Sequence, residues 1–272
     1  MWSARPSISS HAGHPIRLFG LNPIGVRQQG RATPYAALFS LALLLCGPVG
    51  AADLQVDPIR IELSPQQQIA VLTISNDSDQ PTSIQIQAVA WSQSGGKDVY
   101  VPTRELLVAP PIVTIAPRSE QVIRAALRRQ ADAGAELAYR IYLQELPPPK
   151  APGFSGMQVA LRIGLPVFVQ SQTGIAAPKM LWRIARGPGN SVKVTLQNQG
   201  NAHVQVTDFM LRIPGKDQAL GAEAGSTYVL AGQTHEWLID TDPSQPVSGG
   251  PLRLKAYTDA GDVEIDLPLD GR

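Results

Sequence analysis

M-Q-V-A-L-R-I-G-L-P-V-F-V, Met157–Val169, alternates over its first nine positions. Met157, Val159, Leu161, Ile163 and Leu165 fall on one side, and Gln158, Ala160, Arg162 and Gly164 on the other. A period of two is the signature of a β-strand with unlike faces. The run follows a Pro- and Gly-rich stretch, P-P-P-K-A-P-G-F-S-G (Pro147–Gly156), which reads as a loop that is mobile when unbound. Such a strand has two uses. It lines the chain's own core, or it is an edge that can be lent to another chain.

Two neighbouring segments carry the same β character. Val108–Arg124 reads V-A-P-P-I-V-T-I-A-P-R-S-E-Q-V-I-R, and Glu136–Pro149 reads E-L-A-Y-R-I-Y-L-Q-E-L-P-P-P. Further strands are predicted at Leu54–Leu63 (broken by Pro58), Ile69–Ser75, Thr82–Trp91, Leu106–Val108, Val113–Ile115, Ser119–Leu127 and Leu137–Leu146. N-D-S-D-Q-P at Asn76 and S-G-G-K-D at Ser94 supply turn chemistry. About seven short strands at this spacing predict an Ig-like sandwich. Gln170–Lys179 reads as a linker, after which the β pattern restarts at Leu181–Ala185, Val192–Gln197, Ala202–Ile213, Thr227–Asp240, Leu252–Asp259 and Val263–Leu267. T-D-A-G-D predicts a hairpin between the last two. The fold class is therefore all-β: two Ig-like β-sandwich domains, residues 53–171 and 172–272, after a leader.

The leader is residues 1–52. It carries Arg5, Arg17, Arg27 and Arg31, no acidic residue, an apolar run at Tyr35–Leu45, and small residues near Ala51 and Ala52. A basic region, a short apolar core and a small-residue cleavage site make a secretory signal pattern. The core is too short for a comfortable membrane span, so no stable membrane insertion is expected. The leader holds four of the 23 basic residues and none of the 22 acidic ones, leaving 19 against 22 in the mature chain, a net of −3. That balance gives no support to nucleic-acid binding. The single cysteine, Cys46, leaves with the leader, so the mature chain relies on its hydrophobic cores rather than on a disulfide.

Catalytic chemistry is not legible. The mature histidines, His203 and His235, both fall in predicted strands without metal-ligand spacing and read as partly exposed strand residues. There is no G-x-S-x-G, P-loop or H-E-x-x-H motif. No enzyme, cofactor or metal is expected. Asn76 heads a sequon, but the turn explains it.

Together, A-P-P-I-V-T-I-A-P-R-S-E-Q-V-I-R, E-L-A-Y-R-I-Y-L-Q-E-L-P-P, the alternating Met157–Leu165 and V-D-P-I-R-I-E-L near Asp57 resemble the periplasmic pilus-assembly chaperones of the chaperone–usher pathway. Y-R-I-Y and L-P-V-F point to the divergent archaic or alternative, spore-coat-like branch. The resemblance implies two Ig-like domains set at an angle. It also implies a strand lent to pilus subunits that lack one, a case of β-augmentation. On this sequence the donor positions are Met157, Val159, Leu161 and Ile163, with Leu54 and Val56 of the first strand flanking. The subunit's carboxylate would be anchored by Arg60, with Arg140 and, as a lesser candidate, Arg162, because Pro166 stands where the resemblance expects a lysine. Arg124 and Glu136 match a structural charge pair. The implied partners are pilus or fimbrial subunits and an outer-membrane usher, and the implied compartment is the periplasm. The competing expectation is a secreted β-sandwich adhesion or carbohydrate-binding module, which would need exposed aromatics, whereas Trp91, Trp182 and Trp237 are scattered in sequence.

Overall fold

The computed structural model describes residues 54–149, 153, 155–173, 176–244, 247 and 249–270. The leader and Cys46 lie outside the described residues, as do parts of the Pro147–Gly156 loop and of the linker.

The first strand divides at its proline. β1 (Leu54–Asp57) and β2 (Ile61–Leu63) join different sheets. Proline has no N–H and cannot continue a ladder, so the break at Pro58 lets one segment serve both layers. β3 (Ile69–Asn76), β4 (Thr82–Ser94), β5 (Lys97–Pro102), β6 (Leu106–Ala109), β7 (Ile112–Ile115), β8 (Ser119–Leu127), β9 (Leu137–Leu146) and β10 (Arg162–Val169) follow. One sheet runs β1-β3-β8-β6. The other runs β2-β10-β9-β4-β5, with β7 also paired to β4. Inward residues of both sheets, among them Leu72, Ile74, Ile84, Ile123, Ile141 and Val167, build one core.

The second sandwich comprises β11 (Met180–Arg186), β12 (Ser191–Asn198), β13 (Val204–Arg212), β14 (Ala219–Val229), β15 (Thr234–Asp240), β16 (Leu252–Thr258), β17 (Val263–Leu267) and β18 (Leu269–Asp270). Its sheets run β15-β12-β11-β18 and β14-β13-β16-β17. The hairpin expected at T-D-A-G-D joins β16 and β17. The expected single strand Thr227–Asp240 is two strands in different sheets. A turn at Leu230–Gln233 separates them, with Gly232 at a φ of 72° that favours glycine. β5 was not expected, although Gly95 and Gly96, both at positive φ, make the hairpin that returns it along β4.

Each sandwich secures one turn with a fully buried asparagine. Asn76 donates to the carbonyls of Gln80, Ile115 and Ala116, and Asn198 to those of Ala202, Val229 and Leu230. Each amide has two N–H, so one of them is shared between two carbonyls, and the buried side chain ties the turn to its neighbouring strands.

The expected strand Met157–Val169 forms only from Arg162 onward. Its partner explains the late start. β10 pairs with β9 in the register Arg162↔Gln144 to Val169↔Leu137. The last backbone bond before the ladder stops is Glu145 N–H to the Leu161 carbonyl, 2.9 Å, while the Leu161 N–H turns to the Glu145 carboxylate, 3.0 Å. In an antiparallel ladder the next mutually bonded pair lies two residues on. That would be Val159 opposite Pro147, and Pro147 has no N–H to give. Pro148 and Pro149 follow. The partner strand runs out of donors and the alternating segment loses its neighbour.

Candidate functional site

The segment 157–161, outside any strand, is apolar at every second residue and exposed. Met157 is 87% and Val159 75% accessible, and Leu161 38%. Ile163, the fourth expected donor position, lies inside β10 and packs partly against the first core. Leu54 and Val56 are half-buried against that same core, but β1 belongs to the other sheet. It is β2, not β1, that lies beside β10, parallel, at Val167↔Ile61 to Val169↔Leu63. Leu54 and Val56 therefore do not pair with the donor strand within one sheet, although they share the first core with Ile163.

The outward face of the β10 sheet carries two of the three expected anchor arginines, interleaved with aromatic rings. Arg140 lies across the ladder from Pro166. Its guanidinium is 4.4 Å from the Trp91 ring centroid and 5.3 Å from that of Tyr100. Its Nε is buried without a hydrogen-bond partner among the described residues. Gly164 makes room for this packing, since a Cβ there would meet Tyr142 at 3.1 Å and Arg140 at 3.2 Å. Arg162 sits 4.0 Å over the Tyr142 ring, exposed. It stands four residues along the strand from Pro166, about 13 Å at strand rise. Arg60, between β1 and β2, faces the second domain. Its Nη1 donates to Asp259 at 3.0 Å and its Nη2 lies 3.1 Å from Glu62. Burial works against its charge, but Glu62 and Asp259 outweigh burial and raise its pKa. Arg60 and Arg140 both bear on the Tyr228 hydroxyl, whose pKa burial raises against their pull. Arg60 and Arg140 thus both act on Tyr228 at the domain interface, and Arg162 does not.

A cavity of about 220 Å³ beside Arg140 is lined by Trp91, Gln93, Asp98, Tyr228 and His235, among others. Burial opposes the charge of Asp98, yet bonds from Gln93, Trp91 and Tyr100 hold its pKa below the usual range.

The expected charge pair is replaced. Arg124 is exposed on β8 and makes no ion pair among the described residues. Glu136 instead accepts two bonds from His203 of the second domain, from the backbone N–H and from ring Nδ1, each 2.7 Å. His203 precedes β13 rather than lying in a strand, and it is only 10% accessible. It stacks flat on Phe168, with centroids 3.5 Å apart. Its Nε2 is 3.6 Å from Asp259, which completes a network back to Arg60. Nothing in the spacing of Glu136, His203 and Asp259 announced this, because the contact depends on how two domains meet. Gln93 adds a second tie, donating to the Tyr228 carbonyl at 2.8 Å and accepting from the Leu230 N–H at 2.9 Å. Trp91, Phe168 and Leu230 form a small apolar cluster there.

The three tryptophans, scattered in sequence, are all buried. Trp91 lies in that cluster, and Trp182 and Trp237 stack in the second core. The structure therefore removes the aromatic platform that the binding-module expectation required.

Residues 53–173 match the family model described as the N-terminal domain of pili and flagellar-assembly chaperones. No curated protein matches the chain in sequence. Solved structures share the fold. One is a chain of the CsuC–CsuE chaperone–tip adhesion subunit pre-assembly complex from the archaic chaperone–usher Csu pili of Acinetobacter baumannii, 19% identical, with a TM-score of 0.61 over 81% of this chain and all of that one. Another is from the Salmonella enterica SafA pilin in complex with the SafB chaperone, 16% identical, TM-score 0.56, over 81% and 99%. A third is the E. coli chaperone DraB, 19% identical, TM-score 0.53, over 80% and 97%. The family match thus covers the first domain, and the solved structures extend the likeness of fold across both domains.

Proposed function

We propose that the protein is a periplasmic chaperone that captures pilus or fimbrial subunits by lending them the Met157–Ile163 segment as a missing strand, and delivers them to an outer-membrane usher. The observation that carries this reading is the unpaired, exposed, alternating segment leading directly into a strand of the protein's own sheet. The leader supports export. Two of the similar structures are chaperone–subunit complexes, which supports a subunit as partner.

The energetics favour a lent strand over a loose tail. Ordering the five residues 157–161 costs roughly 1–2 kcal/mol each in backbone entropy. Burying the side chains of Met157, Val159 and Leu161 contributes about 1.5–3 kcal/mol each. These terms come close to cancelling, so net affinity rests on the backbone hydrogen bonds of the added strand and on an anchor that fixes register. Arg60 and Arg140 suit that anchor. Arg140, whose Nε is buried without a partner among the described residues, stands opposite Pro166 in the ladder, where the resemblance expects a lysine. A guanidinium has five N–H donors, so Arg60 keeps donors for a second carboxylate while bound to Asp259 and Glu62.

The test is co-purification of tagged protein with its client from the native periplasm. Val159→Asp combined with Leu161→Asp is expected to leave the fold intact and abolish the co-eluting β-rich partner. Undiminished co-elution would show that the segment is not lent. Arg60→Ala and Arg140→Ala are each expected to weaken capture without unfolding the protein.

A further inference from the structure

Glu136, His203, Asp259 and Arg60 form one chain of contacts that crosses twice between the first and second domains. His203 stands in the middle with a carboxylate at each ring nitrogen, 2.7 Å at Nδ1 and 3.6 Å at Nε2. A neutral imidazole has one N–H and one lone pair. Either tautomer therefore turns a lone pair toward a carboxylate, and only the imidazolium satisfies both sides. The ring cannot swing away cheaply, because it is stacked on Phe168 and its own backbone N–H is committed to Glu136.

We propose that His203 is a proton-operated latch between the two domains: charged, its ring donates to Asp259 beside it and holds the Glu136 carboxylate across the interface as an ion pair, and neutral, it loses that charge and one of the two ring contacts, which weakens that edge of the interface. The surrounding groups favour this. Burial opposes the charge, but the contacts with Asp259 and Glu136 outweigh burial and raise the His203 pKa. A raised folded-state pKa means the latch contributes fully below the ordinary imidazole value of about 6.5. Its contribution is lost as pH rises through the raised value.

The other groups facing this ring do not share its range. Asp259, after β16, has its pKa lowered, since His203, the Gln205 N–H and Arg60 outweigh burial. Arg60 is raised, and so is Tyr228 on β14. Glu62 completes the Arg60 side, and Phe168 and Gln170 bring no ionisable group. The imidazole is the group of this cluster whose ordinary value lies near neutrality. His235 sits elsewhere on the interface, against the Gly96 turn, and burial lowers its pKa, so it charges only at more acid pH.

The test follows two signals across pH 5.5–9 in the full-length protein by NMR. One is the His203 imidazole resonance. The other is the hydrogen-exchange protection, corrected for intrinsic rate, of the Glu136 amide, which bonds across the interface to the Asn201 carbonyl at 2.9 Å. The expected imidazole midpoint lies above 6.5. Protection of the Glu136 amide should fall as that midpoint is crossed, by about tenfold per pKa unit of elevation. The Val194 amide, inside the second core, should hold steady. In His203→Gln the Glu136 amide should be weakly protected at every pH. A midpoint at or below 6.5 would overturn the latch. So would unchanged Glu136 protection through the titration, and both readouts stand on the wild-type protein if the variant fails to fold.

Discussion

The two halves of Met157–Val169 are written in nearly the same alphabet and meet opposite fates. Leu165–Val169 is buried at every residue, with β9 on one side and, from Val167 on, β2 on the other. Residues 157–160 lie outside any strand pairing and hold Met157 and Val159 in water. The difference lies in what each half is offered. Toward its C-terminus β10 finds two strands with donors, and its outward Phe168 is covered by His203 and Tyr228. Toward its N-terminus it finds Pro147. Alternation records that a segment has an apolar face. The chemistry of the neighbouring strand decides who covers it.

The strongest test of this contrast is alanine truncation on either side of the boundary. Leu165→Ala opens a cavity in the first core and should destabilise the protein by about 2–5 kcal/mol in urea unfolding. Val159→Ala removes a side chain already in water and should stay within about 0.5 kcal/mol. Equal losses at the two positions would mean that the first half is packed in solution, and the comparison would fail.

How far this was legible varies with the range of the interaction. Strands with local signals stand where the pattern put them, as with Leu137–Leu146, whose bounds β9 reproduces. The sequence also carried the late start of β10, since the three prolines after Leu146 were visible, but reading it required knowing the register that sets Pro147 opposite Val159. The turn at Gly95–Gly96 was legible, though not the strand that returns from it, and Gly232 marked a turn inside the expected strand Thr227–Asp240. The interface was not legible. Glu136 could be marked as important from a resemblance, yet its partner proved to be His203, 67 residues away, rather than Arg124. A charge pair between domains leaves no period in the chain. His203 looked like an ordinary strand histidine because the carboxylates that define it come from two distant turns.

A subtler test restores the missing donor. Pro147→Val offers an N–H to the Val159 carbonyl at the first position where the β9–β10 ladder now fails. The expected result is higher hydrogen-exchange protection of the Val159 amide, with global stability changed by about 1 kcal/mol or less. An unprotected Val159 amide would show that proline is not what stops the ladder. If the added strand forms, the donor segment is ordered before a client arrives, and capture should tighten because less entropy remains to be lost on binding.

The smallest effect belongs to the residue on the boundary. Arg162 opens β10, is exposed, and rests its guanidinium 4.0 Å over Tyr142. An exposed cation–π contact contributes about 0.5–1 kcal/mol, so Arg162→Ala should cost no more than that. A double-mutant cycle with Tyr142→Leu should recover a coupling of the same size. Client capture should be nearly unchanged, because Arg162 stands about 13 Å along the strand from Pro166, the register partner of Arg140. Loss of capture with no coupling to Tyr142 would assign Arg162 to the client rather than to the sheet. The boundary between the lent and the kept halves would then lie one residue further into the ladder, and Leu143, the register partner of Ile163, would become the last residue of β9 to hold the protein's own strand in place.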